Sequence, residues 1–168
     1  MLEKHKKIAK EVIDLAKDQG ANQVSVSLAN SISFQVEVRE KKIESIQESG
    51  SSGIHITVSK NFRRSTVSSN DLRIETLGPM ISSTLKSLPY MGEDRFYSLP
   101  DPSLQGCAKA NLDFFDPEFE KISSENKIRK SFGLEKLSEK ADRRLRTEQS
   151  FYSDSKSYMV HADSNGFL

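Results

Sequence analysis

The chain has no tryptophan and a single cysteine, Cys107, among its 168 residues. One thiol excludes an internal disulfide framework and fits a reducing compartment. Charge of one sign is also lacking, since 25 Lys+Arg stand against 24 Asp+Glu for a formal net charge of +1. Without an overall field, direct nucleic-acid binding and adhesion to an anionic membrane are not expected. No apolar run approaches the ~20 residues needed to span a bilayer. Lys and Glu residues follow Met1 where a signal peptide would carry an apolar core. The chain reads as cytoplasmic.

Catalytic motifs are missing as well. A zinc hydrolase shows two histidines one helical turn apart with an adjacent carboxylate. The three histidines, His5, His55 and His161, are too scattered for that. Cys107 has no nearby histidine and reads as a spare thiol. Serine pairs around Ser51, Ser68 and Ser82 read as turn and cap residues. No G-x-S-x-G, Walker loop or G-x-G-x-x-G occurs. These residues assign no catalytic, no cofactor-binding and no metal-ligating position, and the chain alone is expected to be inactive.

What is present is alternation. Val24, Val26 and Leu28, then Ile32, Phe34, Val36 and Val38, then Ile54, Ile56 and Val58 each alternate with polar residues. A two-residue period puts each apolar set on one face of a sheet. Asn30-Ser31, Glu40-Lys41, Ser49 to Gly53 and Lys60-Asn61 read as turns between short antiparallel strands. Ile43 and Ile46 fall out of phase, which predicts a bulge or an edge at Lys42–Glu48. The expectation is an α+β fold with an antiparallel meander of about five strands.

Helices are expected to cover it. Glu3 to Gln19 carries the stripe Ile8, Val12, Ile13, Leu15 and Ala16, with Gly20 placed as a left-handed cap. A second helix follows Ser69-Asn70-Asp71, with Gly78-Pro79 predicting a kink or a break. A long connection then docks through Phe96, Tyr97 and Leu99, and Asp116-Pro117 caps a short turn. A third helix from Ser123 or Ser124 to about Arg144 carries Ile128, Phe132, Leu137, Ala141 and Leu145, with its basic residues on a solvated face. Arg146–Tyr152 and Ser155–Ala162 read as two strands before an Asn165-Gly166 hairpin turn. The hairpin reads as the start of a second, incomplete sheet. The division expected is 1–88 as an α+β domain, 89–122 as connection, 123–145 as helix and 146–168 as the truncated start of a β domain.

Residues 16–72 resemble the N-terminal domain of the TldD/PmbA family. The likeness lies in Gly20-Ala21 followed by Val24-Ser-Val-Ser27, Ile43-Glu-Ser45, Gly53-Ile-x-Ile-x-Val58 and Ser68-Ser-x-Asp-Leu72. It continues collinearly through GEDRFYSLPDP (92–102), NLDFFDPE (111–118) and DSNGFL (163–168), and is closer to the PmbA branch, also called TldE. Gly78-Pro79 departs from the smoother helix of that pattern. The resemblance implies a cytoplasmic proteolytic system labelled a modulator of DNA gyrase. In it a TldD-type subunit holds zinc in a C-terminal domain and pairs with a PmbA-type subunit around a chamber for unfolded peptides. No position of this sequence corresponds to that C-terminal domain, so none of its metal or catalytic residues carries over. The implied role is assembly and chamber shape, with a TldD-type subunit or self-association as partner. The alternative is a stand-alone peptide-binding or regulatory module, or a remnant of a truncated gene.

Overall fold

A computed structural model describes residues 2–106, 110–142 and 144–168. Cys107 and Arg143 lie outside the described residues. The elements are α1 (Leu2–Asp18), β1 (Gln23–Arg39), β2 (Lys42–Lys60), β3 (Arg63–Ser69), α2 (Ile74–Ser87), α3 (Ser124–Ala141) and β4 (Ser150–Asp163). Three short 3-10 turns fall at Leu88–Tyr90, Pro102–Leu104 and Pro117–Lys121. The fold is α+β, with one four-stranded antiparallel sheet of order β3-β2-β1-β4.

The expected count of five meander strands is corrected to three. Asn30-Ser31 lies inside β1, and Ser49 to Gly53 lies inside β2. Backbone conformation explains the difference. Two-residue hairpin turns need positive φ at the first central residue (type II′) or at both (type I′). That occurs at Glu40-Lys41 (48° and 59°) and at Asn61-Phe62 (51° and 61°), and at neither of the other two places. β3 pairs antiparallel with Ile54–Lys60 of β2, so residues 42–53 lie beyond its register.

The expectation for the C-terminus is corrected too. One strand, β4, replaces the two-stranded start of a second sheet, and it joins β1 in the same sheet. Pairing is visible at its end: Ser164 N donates to Val24 O at 2.8 Å, and Val24 N donates to Ser164 Oγ at 3.0 Å. The Asn165-Gly166 turn folds back on Asp163, whose Oδ1 accepts from Asn165 N at 2.8 Å and Phe167 N at 3.2 Å.

The described residues form two compact units. The first comprises, among the described residues, 2–30, 51–106 and 158–168. Its core sets Val24, Val26, Leu28, Ile54, Ile56 and Val58 against Val12 and Ala16 of α1 and Leu77 and Ile81 of α2. Burying each such aliphatic side chain stabilises by roughly 1.5–3 kcal/mol. Gly20 (φ 97°) ends α1 as its sequence position predicts. Gly20 N donates to Lys17 O at 2.9 Å and Ala21 N to Ala16 O at 3.0 Å, the paired bonds of a Schellman cap.

α2 is one continuous helix through Pro79. The carbonyl that Pro79 leaves without its helical donor is that of Glu75, and both residues are exposed, so water can satisfy it. Its N-cap is Arg73, whose side chain makes no capping bond. Asp71 instead accepts from Arg73 N at 3.0 Å and Thr76 Oγ1 at 2.8 Å. Hydrogen bonds from the Arg73 side chain and backbone hold the Asp71 carboxyl well below the usual carboxylate range. In the following connection Leu99 is buried and Tyr97 half-buried, whereas Phe96 is 98% exposed and does not dock.

The second unit comprises Ser31–Gly50 and Ala110–Ser157. Phe34, Val36 and Val38 pack against Ile128, Phe132 and Tyr152. Asp116 caps its 3-10 turn and Ser123 caps α3, as the sequence indicates. The expected apolar stripe of α3 holds only at Ile128 and Phe132; Leu137 and Leu145 are exposed. The residues that α3 buries are Lys127, Ser131 and Glu135, one turn apart.

Each finds a polar partner. Lys127 Nζ pairs with Asp154 at 2.9 Å, their side chains 9% and 14% exposed, and sits 5.0 Å from the Phe34 ring and 4.9 Å from the Phe119 ring. Tyr152 OH donates to Asp154 Oδ2 at 2.9 Å. Burial first, then that bond, pushes the Tyr152 phenol above its ordinary value. Ser131 Oγ donates to Ser150 O at 3.1 Å, and Glu135 accepts from Lys41 N at 3.0 and 3.1 Å. So Lys127 is no part of a solvated face.

Two measurements check this packing. Gly20→Ala forces a side chain into left-handed backbone with its Cβ 3.1 Å from Lys60 Nζ. Denaturant unfolding is expected to show a loss of about 1–2 kcal/mol. Asp154→Ala strands the Lys127 ammonium and is expected to cost about 3–5 kcal/mol, with Lys127→Met/Asp154→Leu recovering most of it. A single variant as stable as the parent would show that the pair carries no weight.

Candidate functional site

The first unit has a second sheet face. Residues between the core positions of its strands point away from α1 and α2: Ser25 and Ser27 on β1, His55 and Thr57 on β2, Thr66 and Ser68 on β3, and His161 on β4. The β2–β3 register sets His55 against Ser68 and Thr57 against Thr66. Ser68 Oγ and His55 Nδ1 are 2.7 Å apart, Ser27 Oγ and His161 Nδ1 2.8 Å, and the Thr57 and Thr66 hydroxyls 2.8 Å. At these positions the face is built of hydroxyls and imidazoles.

Beside this array lies an open cleft of about 420 Å³, lined by Asn22, Gln23, Asn61, Phe62 and Tyr97 among others, with no carboxylate or ammonium among the described residues of its wall. Asn22 Oδ1 accepts from Asn61 N at 3.0 Å and Gln23 Oε1 from Leu99 N at 3.1 Å. These bonds fix both amides by their oxygens and leave their NH₂ groups as donors. Tyr97 is held by the Arg64 guanidinium, 4.4 Å from its ring centre. Amide donors and two aromatic rings lining one cleft suit an uncharged, hydrogen-bonding ligand such as a polypeptide backbone.

Hydrolytic chemistry does not follow from the serine–histidine pairs. Attack by serine needs an imidazole oriented by a third group. Among the described residues no carboxylate bonds His55 or His161. His5 lies elsewhere, 5% exposed on the core side of α1 with its Nδ1 unpartnered. The three histidines are not brought together, and among the described residues no three His, Cys, Asp or Glu side chains form a group able to hold a metal. Among the described residues no donor set fits zinc.

Of the serine pairs read as turn and cap residues, Ser69 makes such a bond, its Oγ accepting from Asp71 N at 3.0 Å, while the others lie inside regular elements. Ser51 lies in β2, Ser68 in β3 and Ser82 inside α2. The amide cleft escaped sequence reasoning because its residues belong to two separate turns and the connection beyond α2. The Lys127–Asp154 pair left a fainter trace: a polar row at 127, 131 and 135 on α3 matches alternate positions 150, 152 and 154 on β4.

The fold can now be set beside known proteins. The family model described as PmbA/TldA metallopeptidase domain 1 matches residues 24–87. The Metalloprotease PmbA homolog of Buchnera aphidicola is 30% identical over 161 residues, 95% of this chain and 35% of that protein. Metalloprotease PmbA of Escherichia coli O157:H7 is 26% identical over 174 aligned positions, 99% of this chain and 38% of that protein. A candidate modulator of DNA gyrase from Bacteroides thetaiotaomicron superposes with TM-score 0.88 at 25% identity, covering 98% of this chain and 37% of that one. TldE from Thermococcus kodakarensis shares the fold with TM-score 0.78 at 17% identity, covering 95% of this chain and 35% of that one. The chain thus spans little more than a third of the length of the curated relatives it matches. Over that span, the matching strands, helices and collinear sequence make it a member of the PmbA/TldD family, homologous to PmbA.

Proposed function

We propose that this chain is the first-domain part of a PmbA/TldE-like subunit in a zinc metallopeptidase that acts on unfolded or flexible peptides. It contributes assembly and a wall of the substrate chamber, while zinc and the catalytic residues belong to a TldD-type subunit. The observation that carries this reading is the uncharged cleft of Asn22, Gln23, Asn61, Phe62 and Tyr97 beside the hydroxyl–imidazole face. Such a wall can hydrogen-bond a peptide backbone without selecting a charged side chain. In this reading the chain is cytoplasmic and contacts neither nucleic acid nor membrane.

A stand-alone peptide-binding or regulatory module is the second reading, favoured by the same cleft being open in the chain by itself. Mixing the purified chain with a TldD-type subunit separates the two. Co-elution on size exclusion is expected, with no stoichiometric zinc in the chain alone by elemental analysis and no peptide cleavage by it. Tight stoichiometric zinc in the isolated chain would overturn the proposal. Indifference to the TldD-type subunit, with a flexible peptide still bound, would transfer support to the second reading.

A further inference from the structure

The turn joining β2 to β3 is built against its own local rule. Asn61 and Phe62 are its central residues, with φ 51° and 61°. Such turns favour glycine at the second place, because left-handed backbone crowds a Cβ. Phenylalanine there gains little from burial to offset the strain. Phe62 is 59% exposed, and among the described residues its ring meets no other ring and no cation. Its position is nonetheless fixed, since its carbonyl accepts from Asp94 N at 2.7 Å. The side chain lies in the wall of the amide cleft.

Three places earlier, Ser59 lines the same cleft and is 7% exposed, the one buried residue of its wall among those described. It continues the row of His55 and Thr57. Those two side chains are satisfied, by Ser68 and Thr66 across the strand pair. Among the described residues nothing bonds Ser59 Oγ. Arg64 stands opposite Ser59 in the register, but its guanidinium is turned onto the Tyr97 ring. A buried hydroxyl without a partner forgoes the bonds that water gives it in the unfolded chain. So the cleft has an unpaired donor at its floor and an unpaired, strained aromatic ring in its wall.

We infer that Ser59 and Phe62 form a subsite for one apolar residue of a bound peptide. Ser59 Oγ donates to that residue's backbone carbonyl, and the Phe62 ring covers its side chain. The NH₂ groups of Asn22 and Gln23 take neighbouring carbonyls. A lysine or glutamate at this point brings a charge to a wall with no counter-charge among its described residues, and loses water without compensation. The ligand class is therefore an extended peptide with an aromatic or aliphatic residue among uncharged ones. The inference rests on the peptide reading of the cleft and adds the residue class selected and the two groups that select it.

Fluorescence anisotropy with the 168-residue chain and labelled, flexible Gly/Ser peptides carrying one central Phe, Lys or Glu tests it. The Phe peptide is expected to bind roughly tenfold or more tighter than the other two. Ser59→Ala is expected to weaken it roughly fivefold. Phe62→Gly separates binding from folding. Relief of the left-handed strain is expected to raise the urea midpoint, while affinity for the Phe peptide falls roughly tenfold. Either variant binding like the parent overturns the inference, as do equal affinities for the three peptides; in both cases the chamber-wall reading stands. A midpoint that falls on Phe62→Gly also overturns it, since the ring then serves the fold. Failure of the parent chain to bind any of the peptides overturns the inference and the peptide reading together.

Discussion

Everything in the first unit depends on one face of a sheet being dry. Six aliphatic side chains from β1 and β2 stand on that face, and α1 and α2 close over them. Because side chains alternate, drying one face commits every intervening residue to the other. The array of hydroxyls and imidazoles is therefore not an independent feature. It is the remainder of the core pattern, kept soluble by residues too polar to pack. The candidate site inherits its rigidity from that geometry, and the amide cleft is held by the turns that start β1 and join β2 to β3.

The second unit solves a harder problem with less apolar material. Phe34, Val36 and Val38 are the only fully apolar β1 side chains buried there among the described residues. α3 meets them with two apolar residues and a polar row. A buried charge is tolerated only where a partner and further hydrogen bonds replace water. Asp154, Tyr152 and two aromatic rings supply that replacement around Lys127. Such a core is specific rather than strong, since removing either charge leaves the other stranded.

Sequence reading reached the elements governed by local rules. Gly20, Asp116 and Ser123 end or begin helices for reasons contained within a few residues, and the alternation at 24–28 and 54–58 marks strands directly. It failed where a longer-range partner decides. The glycine–serine run 49–53 has turn composition, yet it is held extended because β1 lies alongside it. β4 reads as the start of a new sheet because its partner, β1, lies more than a hundred residues earlier. The polar row of α3 looked solvated because nothing in α3 itself announces Asp154. The amide cleft was equally hidden, being assembled from separated turns.

The pairing of β4 with β1 has a consequence for how the chain is made. Ser27 and His161, bonded across those strands, are 134 residues apart. The β1–β2–β3 hairpins close over two-residue turns, whereas the β1–β4 ladder closes a loop longer than any other in the sheet. Loop closure costs entropy that grows with length, and distant pairings form late. At a synthesis rate of about 5–20 residues per second, several seconds separate the emergence of β1 from that of β4. During that interval the outer edge of β1 is an open template, and it is guarded only by what the ribosome and chaperones keep away from it. β4 is thus this edge's own protection, arriving after the strands it shields.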